Sequence, residues 1–315
     1  MKYRRLGASG LCVSEIALGS WLTLGGSVDA AASERIARHA FDLGVNLFDS
    51  ADAYSGGEAE RALGRALSGL PRTRLVLATK CFFPMSDDPN DRGLSRKHVF
   101  ESVEGSLRRL GTDYLDLHQC HRADPETPLE ETVRAYEDLI RQGKILYWGV
   151  SEWSEDLVAR ACRIADATGG YRPISNQPQY SLLRRDVERD LLGAHARLGL
   201  GQIVWSPLAQ GVLTGKYAGG ARPEGSGITI AARARFLEAL LSEQNLARVD
   251  RMRPLAEELG VTAAQLSLAW CLRRPEVASV IVGATRAEQL DENALASGLV
   301  LPRTTLRRLA RIFPR

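Results

Sequence analysis

A chain of 315 residues with 41 Lys and Arg against 38 Asp and Glu has a formal charge of +3, too balanced for a dedicated nucleic-acid binder, which concentrates basic charge on one face. Its 44 % hydrophobic and 25 % charged residues place it among ordinary globular chains and away from disorder. No apolar run approaches the ~20 residues of a membrane span, and the start Met1-Lys2-Tyr3-Arg4-Arg5-Leu6 lacks the apolar core of an export signal, so a cytoplasmic location is expected.

In chain order, residues 6–13 hold Gly7, Ser9 and Gly10 between short β-like runs, which reads as a hairpin plugging one end of a barrel. Short runs, most of them rich in Val, Ile or Leu, follow at 16–18, 45–49, 75–79, 114–120, 145–151, 174–177, 202–205 and 279–282, as expected of strands covered on both faces. Amphipathic helical runs lie at 31–43, 98–110, 129–142, 157–168, 187–198, 263–272 and 287–296. The run at 129–142 starts after Thr127-Pro128, with Glu130 and Glu131 in its first turn. That supplies a capping hydroxyl, a proline near N1 and acids at the positive end of the helix dipole. Gly143 stops it. Residues 218–227 are dense in Gly, and an irregular stretch leads on to Leu246; long loops of this kind usually carry function.

Strand–helix alternation along the whole chain implies parallel strands joined by right-handed crossovers. Eight such units fit a closed (β/α)8 TIM barrel better than an open sheet, and one domain over residues 1–315 is expected. The motifs of several competing chemistries are absent: G-x-G-x-x-G, G-x-x-x-x-G-K-[ST], G-x-S-x-G and H-E-x-x-H do not occur.

A barrel of this kind gathers reactive groups at the C-terminal ends of its strands. There stand Asp49, Tyr54, Lys80, His121, Ser151, Gln177, Trp205-Ser206 and Gly283-Ala284-Thr285-Arg286. Taken singly, each has a plain reading as a cap, a packing group or a solvated charge. Together Asp49, Tyr54, Lys80 and His121 form an acid/base set from three successive strands. A phenol of pKa ~10 is a weak acid; a neighbouring ammonium stabilises its phenolate, and a carboxylate holds the ammonium. Such a set suits protonation of an oxygen gaining negative charge, as carbonyl reduction requires. His118-Gln119-Cys120-His121 invites a metal, but strand alternation puts the two histidines on opposite sides, so none is expected. The five cysteines are widely spaced without a C-x-x-C, which argues against a disulfide framework or a structural zinc.

Phe48-Asp49-Ser50-Ala51-Asp52-Ala53-Tyr54, then Gly57, Glu58 and Leu63-Gly64, resembles the aldo-keto reductase signature. Lys80 after Leu77-Ala78-Thr79, His121 after Leu115-Asp116-Leu117, the string 205–211 and the string 283–289 fit as well. The strings at 18–21, 92–99, 124–140 and 269–275 are most similar to the branch containing voltage-gated potassium-channel β subunits and their bacterial relatives. Those channel subunits carry Asn where this chain has His121, which favours a working reductase over the alternative, an NADPH-binding, redox-sensing regulatory subunit with slow turnover.

The resemblance implies an NADPH-dependent reductase of aldehydes and ketones, cycling between NADPH and NADP+. Tyr54 would be the general acid, Lys80 would lower its pKa with Asp49 paired to it, and His121 would orient the carbonyl. Ser151 and Gln177 match positions that hold the nicotinamide carboxamide, and Trp205 matches the ring-stacking aromatic. Ser20 and Trp21 would border cofactor and substrate. Ser206, Pro207, Leu208, Ala209, Gln210 and Gly211, with Lys216, would line the pyrophosphate. Gly283, Thr285, Arg286 and Gln289 match the 2′-phosphate clamp, where a guanidinium fork suits phosphate. Glu292 and Asn293 match adenine contacts. Trp21, Tyr54, Phe82, His121 and Trp153 would wall the substrate pocket, with Phe83 also a candidate, for an apolar or aromatic aldehyde. Relatives often carry Arg after P-x-x-S; here Pro223-Glu224-Gly225-Ser226 is followed by Gly227, with Arg233 or Arg235 as the substitute. Glu152 stands where relatives vary between Asn and Arg. The resemblance leaves the assembly open: channel-type relatives form rings, so a homo-oligomer is possible, and single-chain relatives exist as well.

Overall fold

A computed structural model describes residues 1–221 and 237–314. The chain opens with an antiparallel hairpin, β1 (Tyr3–Arg5) and β2 (Cys12–Ser14). Eight further strands follow: β3 (Ile16–Gly19), β4 (Leu47–Asp49), β5 (Val76–Cys81), β6 (Leu115–Cys120), β7 (Ile145–Val150), β8 (Ser175–Asn176), β9 (Gly201–Val204) and β10 (Val277–Val282). They lie parallel in sequence order, and β10 pairs back onto β3 to close the barrel. The expected (β/α)8 TIM barrel is therefore the observed architecture.

Helices form the outer layer: α1 (Ala30–Asp42), α2 (Glu58–Leu67), α3 (Arg96–Leu110), α4 (Leu129–Arg141), α5 (Glu155–Ala167) and α6 (Val187–Arg197). Between β9 and β10 lie α7 (Glu243–Glu258) and α8 (Ala263–Leu272); α9 (Glu288–Ala294) and α10 (Arg303–Ile312) end the chain. Local chemistry fixes several starts. The side chains of Asp29, Ser95, Ser154 and Ser242 each accept a first-turn N–H, and Thr262 with Gln265 forms a full capping box. At α4 the expected hydroxyl cap is absent. Pro128 itself is the N-cap residue, because the Thr127 hydroxyl is drawn away to donate to Asp124 Oδ2 at 2.8 Å.

Three helices escape the hydrophobic pattern. In α2, Gly64 lowers intrinsic helicity, yet a Cβ there would meet the Leu110 carbonyl oxygen at 2.5 Å; the glycine lets α2 and α3 approach. In α7, Pro254 and a strongly charged sequence mask the pattern. In α10, four arginines among ten residues hide a stripe that buries Leu309. The Gly-rich segment at 218–221 begins with a short turn of 3₁₀ helix. Pro223, Glu224, Gly225, Ser226, Gly227, Arg233 and Arg235, and so most of the expected cofactor-covering loop, lie outside the described residues.

Two apolar layers hold the barrel. An inner cluster joins Ala17, Leu47, Val76, Ala78, Leu117, Ile203, Ala278 and Ile281 to Leu6 and Val13 of the hairpin. The hairpin thus plugs the barrel floor. A Cβ on Gly201 would meet the Gly7 nitrogen at 2.3 Å, so plug and strand touch backbone to backbone. The larger cluster lies between strands and helices and includes Phe48, Tyr136, Trp148 and Trp270. Among the described residues no helix is long and apolar enough to cross a membrane.

Candidate active site

With the floor plugged, the opposite end of the barrel is formed by the C-terminal ends of the eight strands. Asp49 ends β4 and Lys80 stands near the end of β5, both buried. The Lys80 ammonium donates to Asp49 Oδ2 and to the Ser50 carbonyl, each at 2.6 Å. Gln177, just past β8, donates from Nε2 to the other carboxylate oxygen of Asp49 at 2.8 Å. Tyr54 begins a 3₁₀ turn past β4. Its ring centroid lies 5.2 Å from Lys80 Nζ. The His121 ring meets the Tyr54 ring edge-on, with centroids 5.6 Å apart. The four candidate acid/base residues therefore converge on one point.

Their protonation follows from burial and charge. Burial works against the Lys80 ammonium, but Asp49 and Tyr54 together outweigh it, and Lys80 titrates above the ordinary lysine value. Burial raises the Tyr54 phenol above its ordinary value; the Lys80 charge opposes this without overcoming it. The expected net lowering by Lys80 is thus not observed in the protein alone. The buried site penalises the phenolate more than one ammonium, already shared with Asp49, can offset. His121 is 7 % exposed, and burial, then the charges of Lys80 and Arg122, hold it down to about 2. It is a neutral imidazole throughout the physiological range. His118, by contrast, is bound to the Tyr136 hydroxyl at 2.9 Å, away from His121.

Behind Tyr54 lies a buried acid pair that the sequence does not advertise. Asp52 accepts from the Ala53 N–H at 2.6 Å and from the Ser102 hydroxyl at 2.7 Å. Glu60 accepts from Thr79 at 2.5 Å and pairs with Arg109 at 2.6 Å. Burial raises Asp52 from 3.8 to about 7, with Glu60 adding to the rise and Ser102, Ala53 and Arg109 opposing it. Between those two values the folded protein keeps a proton that the unfolded chain has lost, so stability falls as pH rises through that window. The variant Asp52→Asn should escape this loss. Its stability relative to wild type, read from urea midpoints, should climb by up to about 4 kcal/mol between acid and neutral pH. A pH-independent difference would place the Asp52 pKa near its ordinary value.

The remaining candidates ring the same end. Ser151, just past β7, donates from its hydroxyl to the Gln177 carbonyl at 2.8 Å. Ser20 donates to the Ser50 hydroxyl at 2.9 Å, and Trp21 beside it is half-buried. Trp205 donates from its indole to Glu152 at 2.9 Å, and the same carboxylate oxygen accepts from the Gln179 N–H at 2.7 Å. Glu152 is therefore an anchor for Trp205. After Trp205 the backbone turns through left-handed Ser206 (φ 52°), Ala209 (φ 48°), Gln210 (φ 56°) and Gly211 (φ 91°). Pro207 and Leu208 lie within this turn. Three successive left-handed residues, 209–211, fold this segment into a tight turn. Lys216 Nζ lies 2.7 Å from where a Gly211 Cβ would stand. Past β10, the Gln289 side chain accepts from the Thr285 N–H at 2.8 Å and the Arg286 N–H at 3.4 Å. Gly283 and Arg286 are exposed, Glu292 is half-buried and Asn293 is buried.

One candidate pocket wall, Trp153, stands elsewhere than expected. Trp153 is 1 % exposed and packed in the core between strands and helices; the left-handed Glu152 before it, φ 59°, reverses the chain and sends it there. Phe82 also packs on that core. Phe83 instead faces the site, its ring centroid 4.9 Å from that of His121. Arg122, which the sequence reading passed over, lies beside both.

The strand ends of the barrel thus gather a carboxylate–ammonium pair, a tyrosine and a neutral histidine. The family model described as the Aldo/keto reductase family matches residues 15–313, and the chain belongs to that family. It is 43 % identical over 303 residues to a probable voltage-gated potassium channel subunit beta of Oryza sativa subsp. japonica, covering 95 % of this chain and 92 % of the relative. It is equally similar to a protein of the same description from Arabidopsis thaliana, at 43 % over 303 residues with the same coverage. A putative voltage-gated potassium channel subunit beta of Schizosaccharomyces pombe is 44 % identical over 301 residues, covering 93 % of this chain and 87 % of the relative.

Proposed function

We propose that this chain is an NADPH-dependent reductase of aldehydes and ketones. The observation that carries this reading is the buried Lys80 ammonium, held by Asp49 at 2.6 Å and facing the Tyr54 ring, with neutral His121 alongside. The chemistry needed at the carbonyl carbon is a hydride, which NADPH would supply when bound. Tyr54 gives its proton to the carbonyl oxygen as negative charge develops there. Lys80 stabilises the phenolate left behind, and Asp49 keeps the ammonium in place. His121, neutral, directs the carbonyl oxygen toward Tyr54 by a hydrogen bond.

The residues present fit the dinucleotide. The left-handed turn at 206–211 with Lys216 beside Gly211 suits a pyrophosphate. Trp205, fixed by Glu152, offers a flat face for the nicotinamide. Ser151 and Gln177 stand together for its carboxamide, with Ser20 and Trp21 at its border. The exposed Arg286 guanidinium, next to Thr285 and Gln289, suits a 2′-phosphate, and Glu292 and Asn293 lie where adenine would follow. A small-molecule carbonyl compound is the substrate.

The names of the relatives favour a second reading, a cofactor-binding regulatory subunit. One experiment separates the two: NADPH consumption with a panel of aldehydes and dicarbonyls, beside binding of NADP+ and NAD+ followed by tryptophan fluorescence. Turnover with tighter binding of NADP+ than NAD+ is expected. Tight binding without turnover would replace the reductase by the regulatory subunit.

A further inference from the structure

Arg122 directly follows His121 past the end of β6 and is half-buried. Its Nη1 donates to the His121 carbonyl at 2.5 Å and reaches the Ser151 hydroxyl at 3.5 Å. Its guanidinium carbon lies 5.7 Å from the centroid of the Phe83 ring, which itself packs against the His121 ring. The guanidinium is thus fixed at the mouth, next to the side chain that would direct the carbonyl. Its charge is felt at the reacting groups, because it lowers the pKa of both His121 and Tyr54.

Among the described residues this cation has no counter-ion. Elsewhere half-buried guanidiniums are answered by carboxylates: Arg72 by Asp116, Arg109 by Glu60, Arg185 and Arg273 by Glu188. Arg122 forms no ion pair among the described residues, and its Nε and Nη2 donate to no protein group there. A guanidinium with one edge tied to backbone and the other edge open presents the planar fork that carboxylates fit. Partial burial strengthens that attraction relative to open solvent.

We propose that Arg122 is a specificity-determining residue that anchors a carboxylate on the substrate, so that the preferred substrates are carbonyl compounds bearing an acidic group. This rests on the reductase reading above. Phe83 then forms an apolar wall against the body of the substrate, between the anchored carboxylate and the carbonyl at His121 and Tyr54.

The test compares 2-, 3- and 4-carboxybenzaldehyde with their methyl esters, which keep the ring and the aldehyde and remove the charge. Wild type should reduce at least one acid with kcat/KM about 10- to 100-fold above its ester, the range of a charge-assisted hydrogen bond. In Arg122→Gln the ratio of acid to ester should fall toward one, chiefly through the KM of the acid, while Arg122→Lys should restore part of it. The ratio cancels any effect on folding or on His121 that both substrates share. Ester reduction without acid preference in any isomer would overturn the anchor while leaving the reductase intact. An Arg122→Gln variant that slows acid and ester equally would reduce Arg122 to a positioning residue for His121 and overturn the proposal as well. No turnover of any aldehyde, with NADPH bound, would instead sink the reductase reading itself.

Discussion

Tyr54→Phe should cut kcat for aldehyde reduction by about 10²- to 10⁴-fold, the usual contribution of a positioned general acid, while binding NADP+ as wild type does. The phenyl ring keeps the edge contact with His121 and the face toward Lys80 Nζ, so the variant loses a proton donor and little else. The pH dependence sharpens the expectation. Because Tyr54 titrates above its ordinary value, the wild-type acid stays protonated across neutral pH, and reduction should be flat there. Oxidation of the alcohol product needs the phenolate, so that direction should rise steadily with pH in wild type and be absent in Tyr54→Phe. Stopped-flow measurement of the hydride step in both directions checks this. A variant that keeps more than a tenth of the reductive rate would move the acid elsewhere, His121 being the next donor in reach.

The acid/base set was legible in the sequence because a closed barrel makes strand ends converge, whatever their separation along the chain. Asp49, Lys80 and His121 each stand at or beside the end of a strand, so the strand pattern locates them. Their supports are not legible in this way. Gln177 reaches Asp49 across 128 positions of sequence, from the end of β8 to the end of β4 across the closed barrel, and nothing in the strand pattern says which side chains will meet there. Glu152 stands out in the sequence only as an acid where relatives vary between Asn and Arg, whereas its left-handed backbone turns the carboxylate onto the Trp205 indole. The same turn removes Trp153 from the mouth. Asp52 lay inside the recognised signature and still gave no sign of its burial, which comes from the packing of α2 and α3 over β5. Arg122 carries no motif of its own; only its packing beside His121 and Phe83 singles it out. Fold came from patterns, which are local sums. Electrostatics came from the handful of residues that tertiary packing strips of water.

Lys80→Met should both unfold the protein more easily and silence it, and the two effects can be separated. Lys80 is fully buried and Asp49 nearly so. Removing the ammonium strands a carboxylate to which, among the described residues, only Gln177 still donates, and breaking a buried pair in this way costs about 3–5 kcal/mol. Urea unfolding should show that loss. Adding Asp49→Asn removes the stranded charge, and the Asn amide oxygen can still accept from Gln177. The double variant should therefore recover most of the lost stability. It should not recover catalysis, because the phenolate of Tyr54 would form in a buried site with no cation to receive its charge, and burial already raises that phenol. NADPH consumption near the level of Tyr54→Phe, in a protein about as stable as wild type, is the expected result. Should the double variant regain activity with stability, Lys80 would be a structural counter-ion for Asp49, and Tyr54 would work without it.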